Sequence, residues 1–384
     1  MQEVRPEGRT GLCRHLAGTA KMWFCRLSLS SLPCFEERPF ERRLPLQLHE
    51  TPANPAPRQG VVMRVLTDDG VPLRVVRWRP TTRRVRGTVC LLQGRAEFIE
   101  KYFEVVRELR RRGFAVVAFD WRGQGLSGRQ VGNPRKGHVR DFSHYFRDLE
   151  AVRAQVLEPL MPQPHFALAH SMGGAIALYA AAEGRLPFAR LVTTGPMLAL
   201  SLIRKPTSAK VAALVLNVLG FGRSFVPGGG ETSIAEKPFP GNPLTSDPVR
   251  YARNGEAAAA VGDGAIGDPT VAWVAAGFRV MNKLTHAATP LSIRLPTLVV
   301  AAGADAVCAT PVIERFAARL KGGHAIVIPG ARHEILMERD PIRDDFWAAF
   351  DAFVPGTPDP SFGPSAAQEG EDGLMEPAVA DGDN

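Results

Sequence analysis

Phe166-Ala-Leu-Ala-His-Ser-Met-Gly-Gly-Ala-Ile-Ala-Leu-Tyr179 is an apolar run that halts at Ser171 and resumes, after two glycines, with helical spacing. It reads as strand, sharp turn, helix. On such a turn a serine is held in a strained backbone conformation with its hydroxyl above the sheet, and small neighbours are needed because strand and helix pass so close. Ala169, Gly173 and Gly174 supply them. The pattern is G-x-S-x-G with Ala169 in the place of the first glycine, a one-methyl change that this turn absorbs. An ordinary strand-to-helix turn with a serine in it has the same pattern, so its meaning depends on the rest of the chain.

Upstream, residues 61–66 and 73–78 flank Asp68-Asp69-Gly70 and predict an antiparallel hairpin. Residues 87–93 form a buried strand, 100–112 a helix, 114–119 a strand and 141–157 a second helix. Downstream, strands are predicted at 191–194, 296–302 and 325–328, closed by a helix over 341–353. This alternation implies α/β architecture, a mostly parallel central sheet with helices on both faces. Residues 198–289 break the rhythm with helical runs, 208–219 above all, and a Gly/Pro-rich loop. They are expected to form an inserted helical cap over the carboxyl ends of the strands, where open parallel sheets bind ligands. The core therefore divides into 59–197 and 290–355. Residues 1–58 are expected to be a poorly ordered extension and linker, and 356–384 a disordered acidic tail.

The composition of the chain is ordinary for a globular protein, with 45% hydrophobic and 22% charged residues and no apolar run long enough to span a membrane. Five widely separated cysteines lack any C-x-x-C or histidine pairing, which argues against a disulfide framework or zinc site and favours a reducing cytoplasm. The net charge of +8 is uneven: the last 26 residues hold seven acids and no Lys or Arg, leaving about +15 for the remainder. Arginines cluster at residues 77–86 and 107–112. They read either as a solvated face or as a surface drawn to anionic lipid at the inner face of a membrane. Nucleic acid is the least favoured partner, because no binding motif or interleaved aromatics accompany them. Nothing in the sequence reports the oligomeric state.

A serine hydroxyl needs a base oriented by a carboxylate, and donors for the developing oxyanion. Of nine histidines, His170 adjoins the serine with its side chain expected to point away, and His138, His144, His165, His286 and His324 lie on helices, strand edges or the insertion. His333 follows the last predicted strand in Pro329-Gly-Ala-Arg-His-Glu334. Leu298-Val-Val-Ala-Ala-Gly-Ala-Asp305 puts an acid at another strand end, giving the chain order Ser171, Asp305, His333. No metal or cofactor is needed by this chemistry. Asp120, at the end of the 114–119 strand, reads as part of a structural turn.

The chain resembles α/β-hydrolases of the serine aminopeptidase S33 group, and within it bacterial lysophospholipases of the PldB kind and, more distantly, monoacylglycerol lipases. The matching stretches are Gly94-Arg-Ala-Glu97, Phe119-Asp-Trp-Arg-Gly-Gln-Gly-Leu-Ser-Gly128, Lys136-Gly-His-Val139, Ala169-His-Ser-Met-Gly-Gly174 and Gly330-Ala-Arg-His-Glu334. The resemblance implies a Ser171, Asp305, His333 triad, an oxyanion hole from the backbone N–H groups of Arg95 and Met172, and hydrolysis of a monoacyl lipid such as a lysophospholipid through an acyl-enzyme. Gln93 stands where monoacylglycerol lipases usually have His, a change that leaves a backbone donor untouched. Hydrolysis of monoacylglycerols, small non-lipid esters or N-terminal peptide bonds is the alternative, and a binding protein on a hydrolase scaffold the remote one. Val211, Leu214, Val215, Val218 and Leu219 form an apolar stripe expected either to line an acyl tunnel or to pack on the core.

Overall fold

A computed structural model of the chain describes residues 46–355. Eight strands form one sheet: β1 (Val61–Leu66), β2 (Pro72–Trp78), β3 (Thr88–Leu92), β4 (Ala115–Phe119), β5 (His165–His170), β6 (Arg190–Thr194), β7 (Thr297–Ala302) and β8 (Gly323–Ile328). Their order is β1-β2-β4-β3-β5-β6-β7-β8. The β1–β2 hairpin and the β2–β4 pair are antiparallel, and β3 to β8 run parallel with β4. The helices are α1 (Phe103–Arg111), α2 (His144–Val152), α3 (Glu158–Leu160), α4 (Met172–Ala182), α5 (Pro206–Val218), α6 (Pro248–Val261), α7 (Val271–Thr285), α8 (Thr289–Ser292), α9 (Thr310–Ala317) and α10 (Asp340–Phe353). The helix predicted over 141–157 starts three residues later, at His144, and passes from α2 through a π-type segment at Arg153–Leu157 into α3.

The strands are apolar on both faces because both faces are covered. Along β4, Ala115, Val117 and Phe119 enter the layer that holds Trp121, Tyr145 and α4, whereas Val116 and Ala118 enter the layer of α1 and α10 with Phe103, Phe346 and Phe350. Every parallel strand then delivers its carboxyl end to one edge, where the loops after β3, β5, β7 and β8 meet.

Beneath that edge lies a buried ionic knot. Arg74 donates to Asp120 and to both oxygens of Glu100, with all three side chains fully buried. Burial pushes the Asp120 carboxyl up despite the arginine, and the backbone N–H groups of Ile99 and Leu126 complete its shell. Gly125 makes room for it, since a Cβ there would sit 2.0 Å from Asp120 Cγ. Asp120 is accordingly a structural anchor for the turn after β4.

The proline-rich stretch expected as a linker packs on the core instead. Asn54 is buried and donates to the Glu100 carbonyl at 2.9 Å, and the Pro57 carbonyl accepts from Trp78 Nε1 at 3.1 Å. Composition suggested a tether, but the chain is anchored here, and just before it the Gln47 carbonyl accepts from Arg74 and the His49 N–H donates to Glu100 in the charged knot. Residues 1–45 and 356–384, including the acidic tail, lie outside the described residues.

Candidate active site

Ser171 sits between β5 and α4 with φ 48° and ψ −110°, a conformation that side chains other than glycine rarely adopt. Three bonds hold it there: its N–H donates to the Thr194 carbonyl, and its own carbonyl accepts from Ala175 and Met197, each at 3.0 Å. The glycines are required by contact, since a Cβ on Gly173 would lie 2.1 Å from the Leu92 carbonyl oxygen. One on Gly174 would press on Pro196 at 3.0 Å.

The structure brings Ser171, Asp305 and His333 together. Ser171 Oγ lies 2.9 Å from His333 Nε2, and His333 Nδ1 lies 2.8 Å from Asp305 Oδ2. The Asp305 side chain is fully buried and its other oxygen accepts the Val307 and Cys308 N–H groups at 2.8 Å. Burial pushes its carboxyl up, but His333 and those two amides outweigh this and hold it below the usual range. Gly195, at φ +49°, clears space for the imidazole: a Cβ there would stand 3.2 Å from His333 Nδ1. Cys308 is buried beside the triad, and desolvation drives its thiol far up, so it stays protonated.

Met172 opens α4, so its N–H is among those without an acceptor inside the helix. Arg95 follows Gly94 on the loop after β3. Its guanidinium turns to the inserted segment, donating to the Gly267 carbonyl at 2.6 Å and lying 5.3 Å from the Trp273 ring, and burial lowers its pKa to about 10. Gln124 braces the same loop, donating to the carbonyls of Gly94 at 2.8 Å and Glu97 at 3.1 Å. Gln93 is fully buried, and its amide has no hydrogen-bond partner among the described residues.

Sequence reasoning missed a second buried group beside the triad. Lys101 Nζ lies 2.8 Å from Glu97 Oε1 and 2.6 Å from Glu334 Oε1, and Tyr102 donates to Glu97 Oε2 at 2.7 Å. His170 bonds Thr194, its Nδ1 meeting Thr194 Oγ1 at 3.0 Å. Its ring packs 4.8 Å from that of His333, and burial lowers its pKa to about 4. Glu97 and Glu334 are each next to or inside a quoted motif, which was the available signal. His138 lies further off, its Nδ1 3.0 Å from Thr270 Oγ1.

Among the described residues, two sets of His, Cys, Asp or Glu side chains have ligand atoms within 4.8 Å of one another: Asp305, Cys308 and His333, and Glu97, His170 and Glu334. In the first, Asp305 and His333 are already bonded to each other. In the second, the Lys101 ammonium stands where a cation would.

A cavity of about 350 Å³ opens between α5 and α7, lined by Met197, whose N–H donates to the Ser171 carbonyl, and by Ala213, Leu216, Trp273, Phe278 and Met281 among others. The stripe predicted on α5 does not face it. Leu214, Val218 and Leu219 are 52%, 76% and 64% exposed, while Ala212, Ala213 and Leu216 form the cavity wall. Spacing identified a stripe on a helix that is apolar nearly all round, and could not say which side the rest of the protein occupies.

The family model described as serine aminopeptidase, S33, matches residues 83–340. Lysophospholipase L2 of Escherichia coli strain K12 is 34% identical over 288 residues, covering 72% of this chain and 82% of that protein. Monoglyceride lipase of Saccharomyces cerevisiae is 33% identical over 135 residues, 33% of this chain and 41% of that one. Among solved structures, a soluble variant of the yeast monoglyceride lipase with a substrate analogue superposes with a TM-score of 0.62 at 19% identity, over 84% of this chain and 99% of that one. A Bacillus coagulans carboxyl esterase in complex with glycerol gives 0.62 at 22% identity, over 77% of this chain and 98% of that one. The sheet order, the serine turn and the matched span agree: the chain belongs to the serine aminopeptidase S33 family of α/β-hydrolases.

Proposed function

We propose that the protein is a serine hydrolase of monoacyl lipid esters, lysophospholipids foremost, with Ser171 as nucleophile, His333 as base and Asp305 as its orienting acid. The observation that carries this is the unbroken hydrogen-bond chain from Ser171 Oγ through His333 to Asp305. His333 takes the hydroxyl proton through Nε2 as Oγ attacks the ester carbonyl, while Asp305 fixes the tautomer by accepting from Nδ1. The carbonyl oxygen, now an anion, rests on the backbone N–H groups of Arg95 and Met172, supported by the α4 N-terminus. His333 passes its proton to the departing alcohol, leaving an acyl-serine that water cleaves by the same steps. The apolar cavity beside Met197 receives one acyl chain, and residues 198–289 act as a cap over it. Similarity to a lysophospholipase over most of the chain supports the substrate class.

The proposal extends to peripheral contact with an anionic membrane, made by the outer face of α5. Val211, Leu214, Val215, Val218, Leu219 and Phe221 are all exposed there, and residues 198–230 contain Arg204, Lys205, Lys210 and Arg223 but no acid. An exposed apolar helix face in a segment with cations and no acid suits a bilayer of anionic lipid. Among the described residues no helix is long and apolar enough to cross one.

Two substitutions on opposite sides of α5 test both parts, with activity followed on p-nitrophenyl esters of graded chain length, lysophosphatidylcholine, monoolein and an aminoacyl naphthylamide. Leu216→Asp is expected to raise KM for long-chain esters about tenfold or more and to leave acetate hydrolysis unchanged, since only a long chain needs the wall. Val218→Asp should leave soluble-ester kinetics alone yet reduce co-sedimentation with phosphatidylglycerol vesicles. Equal rates on short and long esters in parent and variant, or preference for the naphthylamide, would contradict the lipid assignment.

A further inference from the structure

We infer that Lys101 is a positioning residue for the reaction: one buried ammonium, shared by Glu97 and Glu334, ties the loop bearing the Arg95 amide to the loop bearing His333. The inference rests on the proposed roles of Ser171, His333 and that amide, and adds the device that keeps base and oxyanion donors in register.

The two loops come from distant parts of the chain, Lys101 and Glu334 being 233 positions apart. Glu97 closes the first loop on itself. Its Oε2 accepts from the Gly94 N–H and, at 2.7 Å, from Tyr102, while its Oε1 accepts from Lys101. Between Gly94 and Glu97 lie Arg95 and Ala96, the latter at φ 61°, so this stretch is strained and has to be held. Glu334 belongs to the second loop, immediately after His333, and its N–H is fixed to the Leu244 carbonyl at 2.8 Å.

Lys101, Glu97 and Glu334 are each 4–6% exposed. An ammonium at such depth stands only if paired, and here a single one serves two carboxylates. Burial alone would drive both acids up; the ammonium holds Glu97 at about 2, whereas Glu334 remains raised. His170 lies 3.9 Å from Glu97 and packs on His333, but its low pKa keeps it neutral. Among the described residues of this cluster, Lys101 is therefore the cation on which both loops converge.

A displacement of about 1 Å between nucleophile, base and oxyanion donors costs on the order of 10²-fold in rate. Lys101→Met is accordingly expected to lower kcat on p-nitrophenyl butyrate about 10²-fold with KM changed less than about threefold. Inhibition by an alkyl trifluoromethyl ketone, which needs the serine and the oxyanion donors together, should weaken in step with kcat. Because Lys101→Met strands two acids, Lys101→Met/Glu334→Leu is measured beside it. It removes one stranded charge without restoring the link, and should melt near the parent yet keep the low kcat.

The inference is overturned if a variant that melts like the parent keeps parental kcat, or if the double variant regains it. It is equally overturned if both variants fail to fold, since the ammonium would then serve the fold alone. Ser171→Ala in the same assays separates the two levels. Activity surviving in that variant would overturn the assignment of the nucleophile, whereas its loss beside unimpaired Lys101 variants would overturn this inference only.

Discussion

Replacing Ser171 by alanine is expected to lower ester hydrolysis by about 10⁴-fold or more, on every ester the parent cleaves, with no loss of folded protein. The hydroxyl makes its bond to His333 and supplies little packing, and the β5–α4 turn is held by backbone bonds that alanine preserves. Alanine also tolerates φ 48° no worse than serine does, so the melting temperature should stay within about 3 °C of the parent. Steady-state assays on p-nitrophenyl butyrate and a thermal melt are sufficient. Residual activity above about one part in a thousand would remove Ser171 from the nucleophile's role.

Asp305→Asn should reduce kcat about 10⁴-fold and leave KM almost unchanged. The carboxylate accepts three donors, from His333 Nδ1 and the Val307 and Cys308 amides, and an amide side chain of the same size can keep only some of them. Turning its NH₂ toward His333 would favour the tautomer protonated on Nε2, which can no longer take the serine's proton. In the parent, Asp305 is held below the usual carboxylate range and stays ionised throughout neutral pH, whereas asparagine carries no charge at any pH, so no pH in that range should rescue the variant. Recovery of activity at raised pH to within tenfold of the parent would contradict this role for Asp305.

The parts of the site that sequence made legible are those whose local pattern is their cause. The Ser171 turn needs small residues at fixed offsets, and the contacts at Gly173 and Gly174 are why. Asp305 and His333 could be chosen because a parallel sheet delivers every strand's carboxyl end to one edge, and chain order did the rest. The Lys101 link was not legible, since an ion pair between residues 101 and 334 leaves no periodic trace. Gly195 was missed for the same reason: its neighbour is the His333 ring, far along the chain. On α5 the apolar stripe was found but turned the wrong way, because a helix with alanines on one side and larger apolar residues on the other has no polar face to mark the outside. The stretch from Thr51 to Pro57 was read as a tether from its prolines, whereas Asn54 and Pro57 supply hydrogen-bond partners to the core.

The central claim is that a monoacyl lipid passes its acyl group to Ser171. Rapid acid quenching of the enzyme during turnover of 1-palmitoyl lysophosphatidylcholine, followed by peptide mass analysis, measures this directly. A fraction of the peptide containing Ser171 should carry the mass of one palmitoyl group, and none should in Ser171→Ala or in His333→Ala, which lacks the base for the attack. Sustained turnover with no acylated peptide, or with the acyl group on another residue, would contradict it.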